Sequence, residues 1–80
     1  MKYELFQRVA LAKDLPEKQL QRGDVATIVD RHPPIGGEPG YSIEVFNVLG
    51  ETIAVTVVAE SYLQSLTAND IVHVRSLAEV

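Results

Sequence analysis

Leu20-Gln21-Arg22-Gly23-Asp24-Val25-Ala26-Thr27-Ile28-Val29-Asp30 places a polar Gly-Asp turn directly before a β-branched run. Glycine reaches backbone angles that other residues avoid, and the short aspartate side chain bonds nearby amides, so the pair re-aims the chain into a strand. This is how a small β-barrel re-enters its sheet after a wide loop, and it constrains the architecture more than any other segment. It carries no catalytic signature.

The segments on either side fit that reading. Over residues 5–13, Val9 and Leu11 alternate with Gln7, Arg8 and Lys13, while Ala10 and Ala12 suit either side. This favours a strand with one face inward over the rival helix. Asp14-Leu15-Pro16 ends it, because proline removes a donor and extends the residue before it. Residues 14–23 form a wide loop pinned to the core by Leu15 and Leu20. Residues 25–30 are apolar on both faces for part of their length, which predicts a central strand.

His32-Pro33-Pro34-Ile35-Gly36-Gly37-Glu38-Pro39-Gly40 holds three prolines and three glycines in nine residues, which predicts a mobile loop. Tyr41, Ile43 and Val45 then alternate with Ser42, Glu44 and Phe46. Asn47-Val48-Leu49-Gly50 supplies a compact hairpin connection, and residues 51–58 return with Ile53, Val55 and Val57 on one face and Thr52, Ala54, Thr56 and Val58 on the other. The apolar run over residues 53–59 is too short for the ~20 residues of a membrane helix and reads as a buried strand.

Residues 59–63 predict a helical or 3-10 turn with Tyr62 or Leu63 plugging one barrel end. Residues 71–75 predict the last strand; Thr67 with Asp70 has capping-box spacing, but the β-branched residues that follow argue against a helix. The expectation is therefore an all-β fold in a single domain, residues 1–80. It is a small SH3-like barrel of about five antiparallel strands with one short helical or 3-10 turn. A distorted antiparallel sheet pairing between chains is the competing arrangement.

Eighty residues leave room for one core that buries roughly 60 per cent of the unfolded surface. The absence of cysteine excludes disulfide staples and thiolate chemistry and fits a reducing, cytoplasmic setting. Met1-Lys2-Tyr3-Glu4-Leu5-Phe6 lacks the apolar core of a secretory signal. Seven basic against eleven acidic side chains, a net charge of −4, disfavour general phosphate binding.

Taken in order, residues 5–13, Asp14-Leu15-Pro16-Glu17, Gly23-Asp24-Val25-Ala26-Thr27-Ile28-Val29, Gly40-Tyr41-Ser42-Ile43-Glu44-Val45-Phe46 and Gly50-Glu51-Thr52-Ile53-Ala54-Val55 resemble a family of short stand-alone bacterial proteins. These are mainly cyanobacterial, of unknown function, with a predicted SH3-like small β-barrel. The resemblance spans residues 5–77 and implies a fold without an activity. The genomic company of such genes implies an antitoxin or immunity role beside toxin-like partners. Gly23-Asp24-x-x-Thr27-Ile28-Val29 is also similar to KOW-type modules of ribosomal and transcription proteins and to the barrel in the small subunit of nitrile hydratase. KOW-like modules usually place glycine where Ala26 stands and carry more basic charge.

Candidate chemistry is sparse. His32 and His73 lack the ligand spacing of a zinc site even with Asp30, Glu38, Glu44 or Asp70 as helpers, so His32 reads as a solvated loop residue and His73 as a rim strand residue. Ser42, Ser61, Ser65 and Ser76 sit in no nucleophile elbow. Glu44, Glu51 and Glu60 approach one another across the hairpin on paper, but solvated strand charges are the simpler reading. Gly36-Gly37 with Gly40 leads into no helix, so it builds no phosphate cradle. These readings predict no enzyme, no metal and no cofactor.

What remains is surface. The leading expectation is a non-enzymatic protein-interaction module that docks on a protein partner, a basic toxin-like chain or a copy of itself, with Phe46 and Tyr62 as anchors and Glu17, Glu38 and Glu44 as a polar rim. The alternative is a nucleic-acid-binding barrel using Lys13, Lys18 and Arg22 around the wide loop, with Tyr41 or Phe46 nearby.

Overall fold

The structure is a computed structural model and describes residues 1–34 and 37–77. Five strands form one antiparallel sheet: β1 Arg8–Leu11, β2 Val25–His32, β3 Gly40–Phe46, β4 Thr52–Ala59 and β5 Leu63–Ser65, in the spatial order β4-β3-β2-β1-β5. Four strands run as a meander. The fifth returns through a 3-10 turn, Glu60–Tyr62, to lie beside the first. β4 and β5 share no ladder, so each is an edge.

The core is built by the inward rows of this sheet. Val9 and Leu11 of β1, Ala26 and Ile28 of β2, Tyr41, Ile43 and Val45 of β3, Val58 of β4 and Leu63 of β5 cluster with Tyr3, Leu15 and Leu20. β2 is central, as its two-faced apolar pattern predicts, and a register shift between Ile28 and Asp30 bends it over the core. Leu15 and Leu20 pin the wide loop by bridging to each other, with a second 3-10 turn, Pro16–Lys18, between them. Gly23 turns into β2 at φ +93, a left-handed angle that costs any other residue strain. The Asp24 carboxylate accepts the Gln21 amide at 2.8 Å, and Asn47 closes the hairpin by accepting the amides of Leu49 and Glu51.

Several expectations change. The first strand covers only Arg8–Leu11, because Phe6 stands at φ +67 and breaks the extended run ahead of it. Two 3-10 turns form where one was expected. The last strand is Leu63–Ser65 and not residues 71–75, since β1 offers its free side to the segment leaving the 3-10 turn and residues 71–75 reach no ladder. His73 is accordingly an exposed residue outside any strand. His32 is no solvated loop residue: it ends β2, opposite Gly40, and is half-buried. Of the expected mobile loop, Ile35 and Gly36 lie outside the described residues.

The largest correction concerns residues 53–59, which do not form a buried strand. β4 lies at the edge of the sheet with one face outward, leaving Ile53 at 38 %, Val55 at 55 % and Val57 at 62 % exposure. Alternation tells which residues share a face. It does not tell which face meets the core when both are apolar, and here the smaller Ala54 and Thr56, with Val58, took the inside.

Candidate interaction surface

The outward face of the β3–β4 hairpin carries part of the apolar surface that the fold leaves uncovered; Phe6, Ile71, Val72 and Val74 are exposed elsewhere. Phe46 is 43 % exposed at the end of β3, next to Val48 and Leu49 on the hairpin tip, and the row Ile53, Val55, Val57 follows along β4. Monomeric proteins seldom leave such residues contiguous without a use. Glu44 stands in the same face, opposite Val55 in the ladder, with its carboxylate accepting the Thr52 hydroxyl at 2.5 Å.

β4 also has an open backbone edge. The Glu60 amide donates to the Pro39 carbonyl at 2.9 Å, and an antiparallel ladder alternates from there. Val58, Thr56 and Ala54 therefore turn their N–H and C=O groups toward β3, whereas Ala59, Val57 and Val55 turn theirs away from the sheet.

Charge along the β3–β4 stretch of the sequence is one-signed, while Arg8 of β1 stands in the cross-strand row of Thr27, Glu44 and Val55. Residues 32–74 contain no Lys or Arg but carry Glu38, Glu44, Glu51, Glu60 and Asp70. Glu60 stays ionised: the Tyr41 hydroxyl donates to it at 2.6 Å and the Lys2 amide at 3.3 Å, holding its carboxyl below the usual range. Burial, and then the same bond, pushes the Tyr41 phenol above its ordinary value. The three hairpin carboxylates form no acid-base pair. Glu44 bonds Thr52, Glu51 accepts Asn47 Nδ2 at 2.7 Å, and Glu60 bonds Tyr41.

The residues singled out from sequence fall into three places. Glu44 and Phe46 share the outward face of β3. Glu38 accepts the Ser61 amide at 2.5 Å beside Tyr62, whose half-buried ring carries Lys13 Nζ at 4.7 Å from its centroid. Glu17 stands in the Pro16–Lys18 turn, on neither of these surfaces. Of the alternative basic set, Lys13 is engaged with Tyr62, Lys18 and Arg22 are exposed among Asp14 and Glu17, and Tyr41 is fully buried and offers no face to a base. Sequence alternation does not reveal the row on β4, because its apolar pattern is that of a core strand.

Two further features bear on chemistry. His32 Nε2 lies 2.8 Å from the Ser42 hydroxyl, a contact across β2 and β3 to which no carboxylate among the described residues is hydrogen-bonded. Among the described residues no three of His, Asp or Glu gather as a metal site would require, and no helix is long and apolar enough to cross a membrane. An open groove of about 1060 Å³ runs between residues 71–77 and the Phe46–Ile53 end of the sheet, and Arg75 anchors that segment by a two-pronged ion pair to Asp24.

Fold and surface together define a small all-β domain with five antiparallel strands in one sheet. Residues 5–65 match the family described as Domain of unknown function (DUF4926), and the chain belongs to that family. No curated protein matches the chain, and no solved structure does.

Proposed function

We propose that this chain is a non-enzymatic protein-interaction module that works through the outward face and open edge of β4, with Phe46 and Glu44 of β3 beside it. The observation that carries this reading is the row Ile53, Val55, Val57, three β-branched side chains left in solvent on an edge strand. The acidic stretch around it favours encounter with a basic partner and opposes nucleic acid at this face. The family resemblance adds a role, that of antitoxin or immunity partner to a basic toxin-like protein in the cytoplasm, and the one-signed charge supports it.

The test is affinity purification of the tagged full chain from its native host, alongside a Val55→Lys/Val57→Lys double variant. Wild type should bring down a basic protein in stoichiometric amount and the variant should lose it. A chain that emerges alone, or nucleic acid retained through Lys13, Lys18 and Arg22, would count against this function.

A further inference from the structure

Resting on that reading, we infer that β4 accepts an extended segment of its partner as a sixth strand, and that this segment is apolar at alternate positions and carries Lys or Arg at its ends. Sheet edges are ordinarily blunted by lysine, proline, short length or a covering element. β5 is blunted by its length of three residues. β4 has eight residues, Thr-Ile-Ala-Val-Thr-Val-Val-Ala, with neither a charge nor a proline, and among the described residues no strand lies on its far side. Its outward-turned backbone groups at Val55, Val57 and Ala59 are a template for main-chain pairing, and the alternating side chains on either side of that edge set the partner's pattern. On the solvent face an added strand meets Ile53, Val55 and Val57. On the core side it meets Ala54 and Thr56, both half-buried at the margin of the core.

Charge decides between occupants. Glu51 and Glu60 bracket β4, Glu44 flanks Val55, and no Lys or Arg lies between Arg31 and Arg75 in sequence. A second copy pairing antiparallel about the middle of β4 would set Glu51 against Glu60 at both ends, like charge against like charge. A strand with basic ends meets opposite charge at the same points.

The probe is a displayed library of random peptides long enough to span β4, selected on the full chain. Recovered peptides should alternate apolar residues and carry net positive charge. They should slow amide exchange at Val55 and Val57 in the wild-type chain and bind about tenfold or more weakly to Val57→Pro. Proline there removes an amide that the chain's own ladder does not use, and the exchange measurement needs no variant. Peptides that are acidic or lack alternation, no enrichment at all, exchange unchanged at Val55 and Val57, or a dimer of the chain dispersed by Val57→Pro would each overturn the inference. If the partner captured from the native host holds equally to Val57→Pro yet is lost from the double-lysine variant, strand addition fails while the interaction reading stands. If wild type captures no partner, the reading itself fails.

Discussion

Tyr41 donates its hydroxyl to Glu60 at 2.6 Å and accepts the Tyr3 amide at 3.2 Å, so one buried phenol ties the 3-10 turn before β5 to the chain's first residues. Tyr3 seals the arrangement, its ring edge-on to Tyr41 at 5.4 Å and its own hydroxyl donating to the Leu63 carbonyl. Tyr41→Phe keeps the ring and loses both bonds. It should lower unfolding stability by about 1–3 kcal/mol, read from urea denaturation at neutral pH.

The same pair sets opposite pH limits. Glu60 is more acidic folded than unfolded, so its contribution is complete above the ordinary carboxylate range and fades as pH falls through the lower folded value. Tyr41 ionises later folded than unfolded, so its contribution is complete below about pH 10 and is lost as pH rises beyond it. Urea midpoints measured across pH should decline on both limbs. Glu60→Gln should flatten the acid limb, and Tyr41→Phe the alkaline one.

Core and edge substitutions should separate cleanly. Ile43 is fully buried at the centre of β3, and Ile43→Ala should cost about 2–5 kcal/mol through lost burial and the cavity left behind. Val55→Ala, on the exposed row, should change stability by no more than about 0.5 kcal/mol. Equal costs at the two positions would mean that the outward face of β4 is covered.

The Arg75–Asp24 ion pair is the main tether of residues 71–77, and its side chains keep 27 % and 17 % of their exposure. Arg75→Ala should therefore leave global stability within about 1 kcal/mol while speeding proteolysis and amide exchange in residues 71–77. Unchanged exchange there would show that the ion pair does not hold the segment.

Much of this fold is legible in the sequence because β2, β3 and β4 are long enough to alternate, and because Gly23 and Asn47 stand where turns need them. β5 is not legible. Leu63–Ser65 has no periodicity of its own and exists because β1 offers a free side just past the Glu60–Tyr62 turn. Residues 71–75 carry the stronger strand composition yet meet no ladder, since composition states a preference and tertiary pairing decides. Phe46 and Glu44 are readable as outward residues from alternation alone. The row Ile53, Val55, Val57 is not, because telling an edge face from a core face requires the strand order, which only the assembled sheet reveals.

Amide hydrogen exchange at Val55 and Val57, compared between the free chain and any complex purified with the proposed partner, addresses the proposed role of β4 most directly. Both amides point away from β3, so they should exchange readily in the free chain and become protected in the complex, while Ala54 and Thr56, already bonded within the sheet, change little. Protection already present in the free chain, or a complex that leaves Val55 and Val57 exchanging as before, would mean that this edge is not where the protein meets its partner.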